Sequence, residues 1–197
     1  MRPWDNQKIR QRLEEQPTHQ EIIQIAKAIH RPEVRAAFIL MYLTAGRNSE
    51  ITKNKLQIQG KKVTQGLKRK DIKFTTDNKE REIMILNLPN RKHRQRHFKT
   101  IPIPIEKERV LISILNNYLK GLSPEEYLVP LTKHYASRLV LRHSGMNPHY
   151  LRHIRLTHLV INEDFNEQLL VLFAGWTDSR PAKNYMELRW KDILQKY

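Results

Sequence analysis

The stretch His149-Tyr150-Leu151-Arg152-His153 decides how the rest of this chain is interpreted. A histidine and an arginine three residues apart share one face of a helix, so His149 and Arg152 are predicted to project together. Gly175-Trp176 follows downstream, and Tyr185 comes nine residues after the tryptophan. These side chains are the first candidates for a functional site.

A second candidate segment lies in the first quarter, at Thr44-Ala45-Gly46-Arg47-Asn48-Ser49-Glu50. The residues before it predict a helix that begins near Glu33 and runs toward Gly46. We expect Gly46 to break this helix just before Arg47. That would place Arg47 at a turn, where a side chain can be aimed into a site. The apolar positions that predict the helix are Val34, Ala37, Phe38, Met41 and Tyr42.

The charge balance favours a polyanionic partner. The chain has 36 Lys plus Arg against 20 Asp plus Glu, a formal net charge of +16. An excess of this size is typical of proteins that bind nucleic acid, although a generally basic, solvated surface gives the same composition. No apolar run reaches the roughly 18 residues that span a bilayer, and Met1 is not followed by a signal-peptide core. We therefore expect a cytoplasmic protein without a membrane partner.

Metal and thiol chemistry are not expected. The chain has no cysteine, which excludes disulfides, thiolate zinc sites and a cysteine nucleophile. His149 and His153 stand four residues apart on one helix, a spacing that can bind zinc. No His-Glu-x-x-His pattern accompanies them, however, and Arg152 lies between them with its own charge. We predict no metal site here.

Periodicity predicts a mainly α domain with a small antiparallel β-sheet inserted early. Thr18 and Glu21 form a capping-box pattern, which predicts a helix that ends at residues 30–32. Strands are expected at 82–86 and 98–103, with Pro102 favouring an edge position. Other predicted elements are a polar arm at 1–16, β-like pieces near 67–74, and helices at 107–120, 134–143, 148–161, 165–173 and from about 182 to the end.

Together, these motifs resemble the tyrosine recombinases, the integrase family. The resemblance covers residues 17–197 and implies a helical catalytic domain with a small antiparallel sheet. Family members usually carry an N-terminal helical domain as well, and 16 residues are too few for one. The resemblance therefore implies a catalytic-domain fragment or a minimal enzyme. The stretch Thr52 to Gly66 is longer than the link expected between the first arginine turn and the sheet.

The resemblance assigns two arginines to the scissile phosphate. Arg47 and Arg152 would clamp its non-bridging oxygens, because planar guanidinium groups bind such oxygens bidentately and stay charged. Glu50 would orient Arg47. This is preorganised electrostatic stabilisation of the charge that develops in the transition state.

The resemblance also assigns the nucleophile and its neighbours. Tyr185 would attack the phosphate, and Tyr197 is a distant second candidate. His149 would accept or donate a proton. His153 matches a second histidine in the family's helix, where it is a structural residue. Trp176 would donate its indole N–H to a phosphate oxygen and support the nucleophile, or serve as a core residue. The segment between Trp176 and Tyr185 looks more like a loop than core.

The leaving group needs a proton, which the family supplies from a lysine in a β-hairpin. Lys92 is the first candidate, because it follows the first strand of the hairpin closely. Arg94 and Lys99 are the alternatives, since Lys92 lies somewhat far from the second strand. The remaining hairpin cations are expected to contact DNA phosphates. This DNA-binding set comprises Arg91, Arg94, Arg96 and Lys99.

The resemblance implies a site-specific DNA recombinase or integrase of a virus, plasmid or other mobile element, acting on nucleoid DNA. It would use a 3′-phosphotyrosyl intermediate and no metal, ATP or other cofactor, because one ester replaces another. A C-terminal helix from Met186 to Tyr197 would dock on a neighbouring protomer, giving a tetramer on double-stranded DNA, with a monomer off DNA as the alternative. The competing interpretations are a type IB topoisomerase and an inactive DNA-binding protein.

Overall fold

The computed structural model describes residues 16–58, 61–90 and 97–186, and helices surround two small antiparallel sheets. The mainly α fold with an early antiparallel sheet is therefore confirmed. No helix in the described ranges is both long and apolar enough to cross a membrane. In chain order the elements are α1 His19–Ala28, α2 Pro32–Thr44, α3 Asn48–Ile51, β1 Asn54–Ile58, β2 Lys61–Gln65, a 3₁₀ turn Arg69–Asp71, β3 Ile72–Thr76, β4 Glu82–Asn90, β5 His97–Pro104, α4 Arg109–Leu119, α5 Lys133–Ser144, α6 Pro148–Asn162, α7 Glu167–Ala174 and α8, residues 180–186.

The central element is α2. Every residue from Ala36 to Thr44 is buried, so this helix is enclosed rather than amphipathic. It contacts α1, α3, α4, α5 and α6. The neighbouring α1 begins as predicted, because the Thr18 hydroxyl accepts from the Glu21 amide and the Glu21 carboxylate accepts from the Thr18 amide.

A buried polar cluster joins α2 to α1 and α6. The Tyr42 hydroxyl lies 2.9 Å from His19 Nδ1 and 2.8 Å from His158 Nδ1. Arg155 lies over the Tyr42 ring and pairs with the buried carboxylate of Glu108. Burial, with Arg155 and His19 nearby, lowers the pKa of His158 to about 4. Because this imidazole is neutral at physiological pH, it can hydrogen-bond to the tyrosine without adding a buried charge.

The three-stranded sheet has the order β3-β4-β5, so Pro102 lies on an edge strand as predicted. Side chains alternate across a strand, and the inward residues of β5 are Lys99, Ile101 and Ile103. Lys99 pairs with Leu88 of β4. The alternation therefore turns a lysine toward the core at the position next to the hairpin.

The long link between the first arginine turn and this sheet forms a separate two-stranded ribbon. Strands β1 and β2 pair antiparallel, with Lys55 opposite Thr64. The β-like segment predicted near 67–74 begins instead with the 3₁₀ turn. The Asp71 carboxylate accepts from the Lys68 amide at 2.7 Å, and β3 follows. Local capping by an aspartate thus competes with an earlier strand.

The turn after α2 differs from the sequence expectation. The helix ends at Thr44, and Ala45 rather than Gly46 takes the left-handed conformation, with φ of 44°. Gly46 is needed for space. A Cβ atom there would lie 2.6 Å from Thr44 Oγ1 and 3.0 Å from Leu88 Cδ2. The glycine therefore allows β4 to approach the turn that carries Arg47.

A second, smaller hydrophobic cluster joins the end of α2 to the C-terminal helices. Tyr185 belongs to it and is only 7% exposed. Residues 180–186 are helical, so Tyr185 lies on a helix, as the helix predicted from about residue 182 requires, and that helix begins within the segment that looked like a loop. The members of the cluster are Ala45, Leu156, Leu159, Val160, Leu170, Ala174, Ala182 and Tyr185.

Two neighbouring substitutions should have different effects on stability. Gly46→Ala should lower the free energy of unfolding by about 1–3 kcal/mol, because the added methyl overpacks the turn. Ala45→Gly should leave it unchanged or raise it by up to about 1 kcal/mol, because glycine relieves the left-handed strain. Urea denaturation of both variants measures the difference. Equal destabilisation by the two would contradict this account of the turn.

Candidate active site

The first component of the site is an arginine held by a buried carboxylate. Arg47 precedes α3, and its Nη1 lies 2.8 Å from Glu50 Oε1. The Arg47 backbone amide donates to the other carboxylate oxygen, Oε2, at 2.8 Å. Glu50 is fully buried, whereas the Arg47 side chain is 26% exposed. The carboxylate thus fixes one edge of the guanidinium and leaves the rest accessible from outside.

The second component is Lys99, whose ammonium lies 3.5 Å from Glu50 Oε2. Lys99 is 7% exposed. Burial lowers its pKa to about 8, against the opposing effect of Glu50, and the positive charges of Arg152 and Arg47 lower it further. Its Nζ makes no hydrogen bond to any described residue. The sequence analysis named Lys99 both as an alternative leaving-group acid and as a cation that contacts DNA phosphates, and its burial suits the first role better.

The remaining hairpin candidates lie outside the described residues. They are Lys92, the first choice for the leaving-group acid, and Arg91, Arg94 and Arg96. Their roles stay predictions. The inward register of Lys99, two residues before the apolar Ile101, was a signal in the sequence that could have singled it out.

The third component is Arg152, a buried cation that joins two helix ends. Its guanidinium donates to the carbonyl of Ala45 at the end of α2 and, at 3.0 Å, to the carbonyl of Ala174 at the end of α7. Helix C-termini carry unpaired carbonyls and partial negative charge, which suits a cation. Its Cζ also lies 5.6 Å from the centre of the Trp176 ring. Burial and the neighbouring Arg47 lower the pKa of Arg152 to about 10, so it remains charged at neutral pH.

The fourth component is Tyr185, which stands between two aromatic rings. Its ring centre lies 5.9 Å from that of His153 and 6.0 Å from that of Trp176, and both pairs are stacked. Its hydroxyl is hydrogen-bonded to His153 Nδ1. Burial raises the pKa of Tyr185, and the positive charge of Arg152 offsets part of that rise. The phenol is therefore protonated at neutral pH and needs a base to ionise.

Two histidines of α6 form a chain that leads away from Tyr185. His153 Nε2 lies 3.0 Å from His149 Nε2. His149 is exposed, whereas His153 is partly buried. Burial, His149 and Arg152 lower the pKa of His153 to about 4. His149 was predicted to be the proton-transfer group, but here it reaches the tyrosine through His153, which sequence reasoning considered only as a metal ligand or structural residue.

These residues come together around an excess of positive charge. Arg152 interacts electrostatically with Arg47, Glu50 and Tyr185, and Lys99 interacts with both arginines. Three cations thus share one buried carboxylate, Glu50. A site of this kind favours an anion that supplies the missing negative charge. Within the described ranges, no group of three or more His, Cys, Asp or Glu residues lies close enough together to hold a metal ion.

Solved structures of recombinases have a fold similar to that of this chain. The XerH site-specific recombinase bound to its difH substrate before cleavage has a TM-score of 0.54 and 16% identity, over 90% of this chain and 51% of that one. The XerH post-cleavage complex with palindromic difH has a TM-score of 0.55 and 16% identity, over 89% and 49%. The XerA recombinase has a TM-score of 0.52 and 15% identity, over 94% and 67%.

These likenesses establish the fold of the chain as that of tyrosine recombinases. The chain spans about half the length of the XerH proteins, since the matches cover 51% and 49% of the two XerH chains. A scan against protein-family models gives no match, and a search of curated proteins finds no relative by sequence.

The lowered pKa of Lys99 predicts a stability change at alkaline pH. The folded state releases this proton at about pH 8, whereas an unfolded lysine keeps it to about 10.5. Stability must therefore rise between those values, because the unfolded state binds more protons there. The free energy of unfolding of the wild type, minus that of Lys99→Met, should increase by roughly 1–3 kcal/mol across this window. Chemical denaturation from pH 7 to 10.5 measures it.

Lys73→Met, at an exposed position of β3, controls for the loss of a lysine. A flat difference for Lys99→Met over the same window would contradict the buried position of its ammonium.

Proposed function

We propose that this protein cuts and rejoins double-stranded DNA at a defined site, as a recombinase, through a covalent 3′-phosphotyrosyl link at Tyr185. The observation that carries the proposal is a buried tyrosine hydroxyl in electrostatic contact with Arg152, within a site where three cations share one carboxylate. A scissile phosphate supplies the anion that such a site lacks. Both the nucleophile and the cations come from one chain.

The arginines would stabilise the charge that gathers on the non-bridging oxygens. Arg47 is held along one edge by Glu50 and is partly open to solvent. Arg152 uses two of its N–H groups on the carbonyls of Ala45 and Ala174. A guanidinium has five N–H donors, so three remain for phosphate. Because both groups are fixed before DNA arrives, little reorganisation is needed in the transition state.

The chemistry exchanges one phosphoester for another. The Tyr185 oxygen forms a bond to phosphorus, the bond from phosphorus to the 5′-oxygen breaks, and that oxygen takes up a proton. In the reverse direction a strand's 5′-hydroxyl attacks the phosphotyrosine and releases the tyrosine. When the attacking strand is a different one, the DNA is recombined. Since the ester energy is conserved, no ATP is required.

We propose Lys99 as the donor of the leaving-group proton. A general acid works best when its pKa is close to the operating pH. Burial among the arginines lowers the pKa of Lys99 to about 8, which brings it toward that range. Lys92 and Arg94 remain the alternatives from the sequence.

Double-stranded DNA is the partner that the charge and the fold support. The formal net charge is +16, and the XerH structures of similar fold hold their own difH substrates. Assembly into a tetramer on DNA through residues 186–197 stays a prediction, since 187–197 lie outside the described residues. An origin in a mobile element and an action on nucleoid DNA likewise stay predictions.

The decisive experiment traps the covalent adduct. Duplexes with a nick beside a randomised sequence are incubated with the protein, so that the short cleaved fragment diffuses away and prevents rejoining. Denaturing electrophoresis should show a protein–DNA adduct that maps by mass spectrometry to Tyr185. Tyr185→Phe should form none. Tyr135→Phe is the matched control at a solvent-accessible tyrosine of α5, and it should behave like the wild type.

The trapped DNA also separates the alternative activities. A shared sequence among trapped fragments supports a site-specific recombinase, whereas adducts without sequence preference favour a topoisomerase. Binding without any adduct would identify an inactive DNA-binding protein. An adduct that persists in Tyr185→Phe would refute the assignment of the nucleophile.

A sulfur substitution in the DNA tests Lys99. Lys99→Met should slow cleavage by about 10²–10⁴-fold, the usual contribution of a general acid. A substrate with a bridging 5′-phosphorothiolate has a thiolate leaving group that needs no proton. It should restore Lys99→Met to within about tenfold of the wild type. If Lys92→Ala shows this pattern and Lys99→Met does not, Lys92 is the acid.

A further inference from the structure

We infer that Tyr185 loses its proton through a relay of two histidines, first to His153 and then to His149. The inference rests on the proposed function and deepens it, because it makes His153 a catalytic residue in direct contact with the attacking oxygen. It also explains how an exposed histidine serves a buried nucleophile.

The relay is visible as a continuous chain of contacts. Tyr185 Oη is hydrogen-bonded to His153 Nδ1, and the two rings are stacked. On the other side of the same imidazole, His153 Nε2 lies 3.0 Å from His149 Nε2, and the two imidazole rings meet edge to face. The four-residue spacing on α6 makes this second contact possible. The chain therefore runs from a buried hydroxyl to an exposed imidazole.

The protons can be assigned from the hydrogen bonds. Among the described residues, His153 Nδ1 is the acceptor available to the phenolic proton of Tyr185. A neutral imidazole that accepts at Nδ1 carries its own proton at Nε2. His153 then donates from Nε2 to His149 Nε2, and the proton of His149 lies on its Nδ1. Each of the two hydrogen bonds in the chain thus joins one donor to one acceptor.

The second histidine is needed because the first is a poor place to leave a charge. His153 is partly buried and stands beside the guanidinium of Arg152, and both effects disfavour its imidazolium. His149 is exposed to solvent, where its imidazolium is hydrated. Transfer through His153 thus moves the positive charge out of the site.

The two proton transfers of the relay conserve both protons and charge. The Tyr185 proton moves to His153 Nδ1 as the Nε2 proton of His153 moves to His149 Nε2. The result is a phenolate, a neutral His153 with its proton on Nδ1, and a His149 imidazolium. The phenolate then attacks phosphorus, and on rejoining the same two transfers run backward.

Other charged groups face this chain from several elements, and each could influence its response to pH. Arg152 lies beside His153 on α6 and is, among the described residues, the charged group outside the chain of contacts that acts on this imidazole directly. Arg152 in turn faces Arg47, Glu50 and Tyr185, and Lys99 of β5 faces Arg152.

The test measures single-turnover adduct formation on the nicked substrate at pH 7. His153→Gln should lower the rate by about 10²-fold or more, because glutamine can hydrogen-bond to Tyr185 but cannot relay a proton. His149→Gln should lower it as well. The double variant should be no slower than the slower single variant, because residues that act as a unit are not additive. His143→Gln, at an exposed position of α5, is the matched control and should equal the wild type.

Two further readouts separate proton transfer from a structural role. The deficit of His153→Gln should shrink as the pH rises from 7 to 9, because hydroxide can then take the tyrosine proton directly. Added imidazole should accelerate His153→Ala in proportion to the concentration of its neutral form. His153→Gln and His153→Ala should both bind uncleaved DNA with an affinity close to that of the wild type. Their thermal unfolding midpoints should also stay close to the wild-type value.

The outcomes also distinguish this inference from the proposed function. If the wild type forms no adduct, both are overturned. If the wild type cleaves and His153→Gln is within twofold of it, the relay is overturned and the function stands. The relay is also overturned by a combination of two results. In that case the rate of His153→Gln stays low at pH 9, and imidazole does not accelerate His153→Ala.

Discussion

The site depends on the buried guanidinium of Arg152, which joins the end of α2 to the end of α7 through the carbonyls of Ala45 and Ala174. These helix ends come from opposite parts of the chain, and the smaller hydrophobic cluster closes around them. Helix C-termini stabilise a cation that burial alone would disfavour. The same contacts bring the Arg47 turn close to Tyr185. The hydrogen bonds of Arg152 thus hold the helix ends together and also set the geometry of the site.

The charges of the candidate site are not arranged for stability. Glu50 is the buried carboxylate that serves both Arg47 and Lys99, and Lys99 keeps an ammonium without a hydrogen-bond partner among the described residues. Buried cations that repel one another cost stability, and such costs are typical of functional sites. The polar cluster around Tyr42, in contrast, has a neutral histidine and a paired arginine. The polar cluster around Tyr42 is therefore balanced in charge, whereas the candidate site holds more buried cations than carboxylates.

Several sequence predictions failed where a local pattern had more than one physical solution. Gly46 was expected to break α2, but Ala45 takes the left-handed conformation and the glycine provides space for Leu88. A glycine in a sequence does not reveal which of its two properties is used. The contact of His153 was missed for a similar reason: its four-residue spacing from His149 was weighed for zinc and rejected, and the family resemblance gave it a structural role, whereas in the structure its imidazole meets the Tyr185 hydroxyl.

The amino-acid sequence was enough to predict the helical periodicity, the early antiparallel sheet and the edge position of Pro102, because these follow from period and capping, which are local properties. Arg47, Arg152 and Tyr185 became candidates through the order and spacing of motifs that resemble the tyrosine recombinases. The position of Lys99 beside the arginines, and that of His153 between Tyr185 and His149, became apparent from the three-dimensional fold alone. Those arrangements depend on strand register and on helix ends that meet across more than a hundred residues of chain, as Arg152 and Ala45 do at a separation of 107. A local pattern can place Lys99 on the inward face of its strand, but it does not encode which residues Lys99 meets there, because burial and packing set those contacts together.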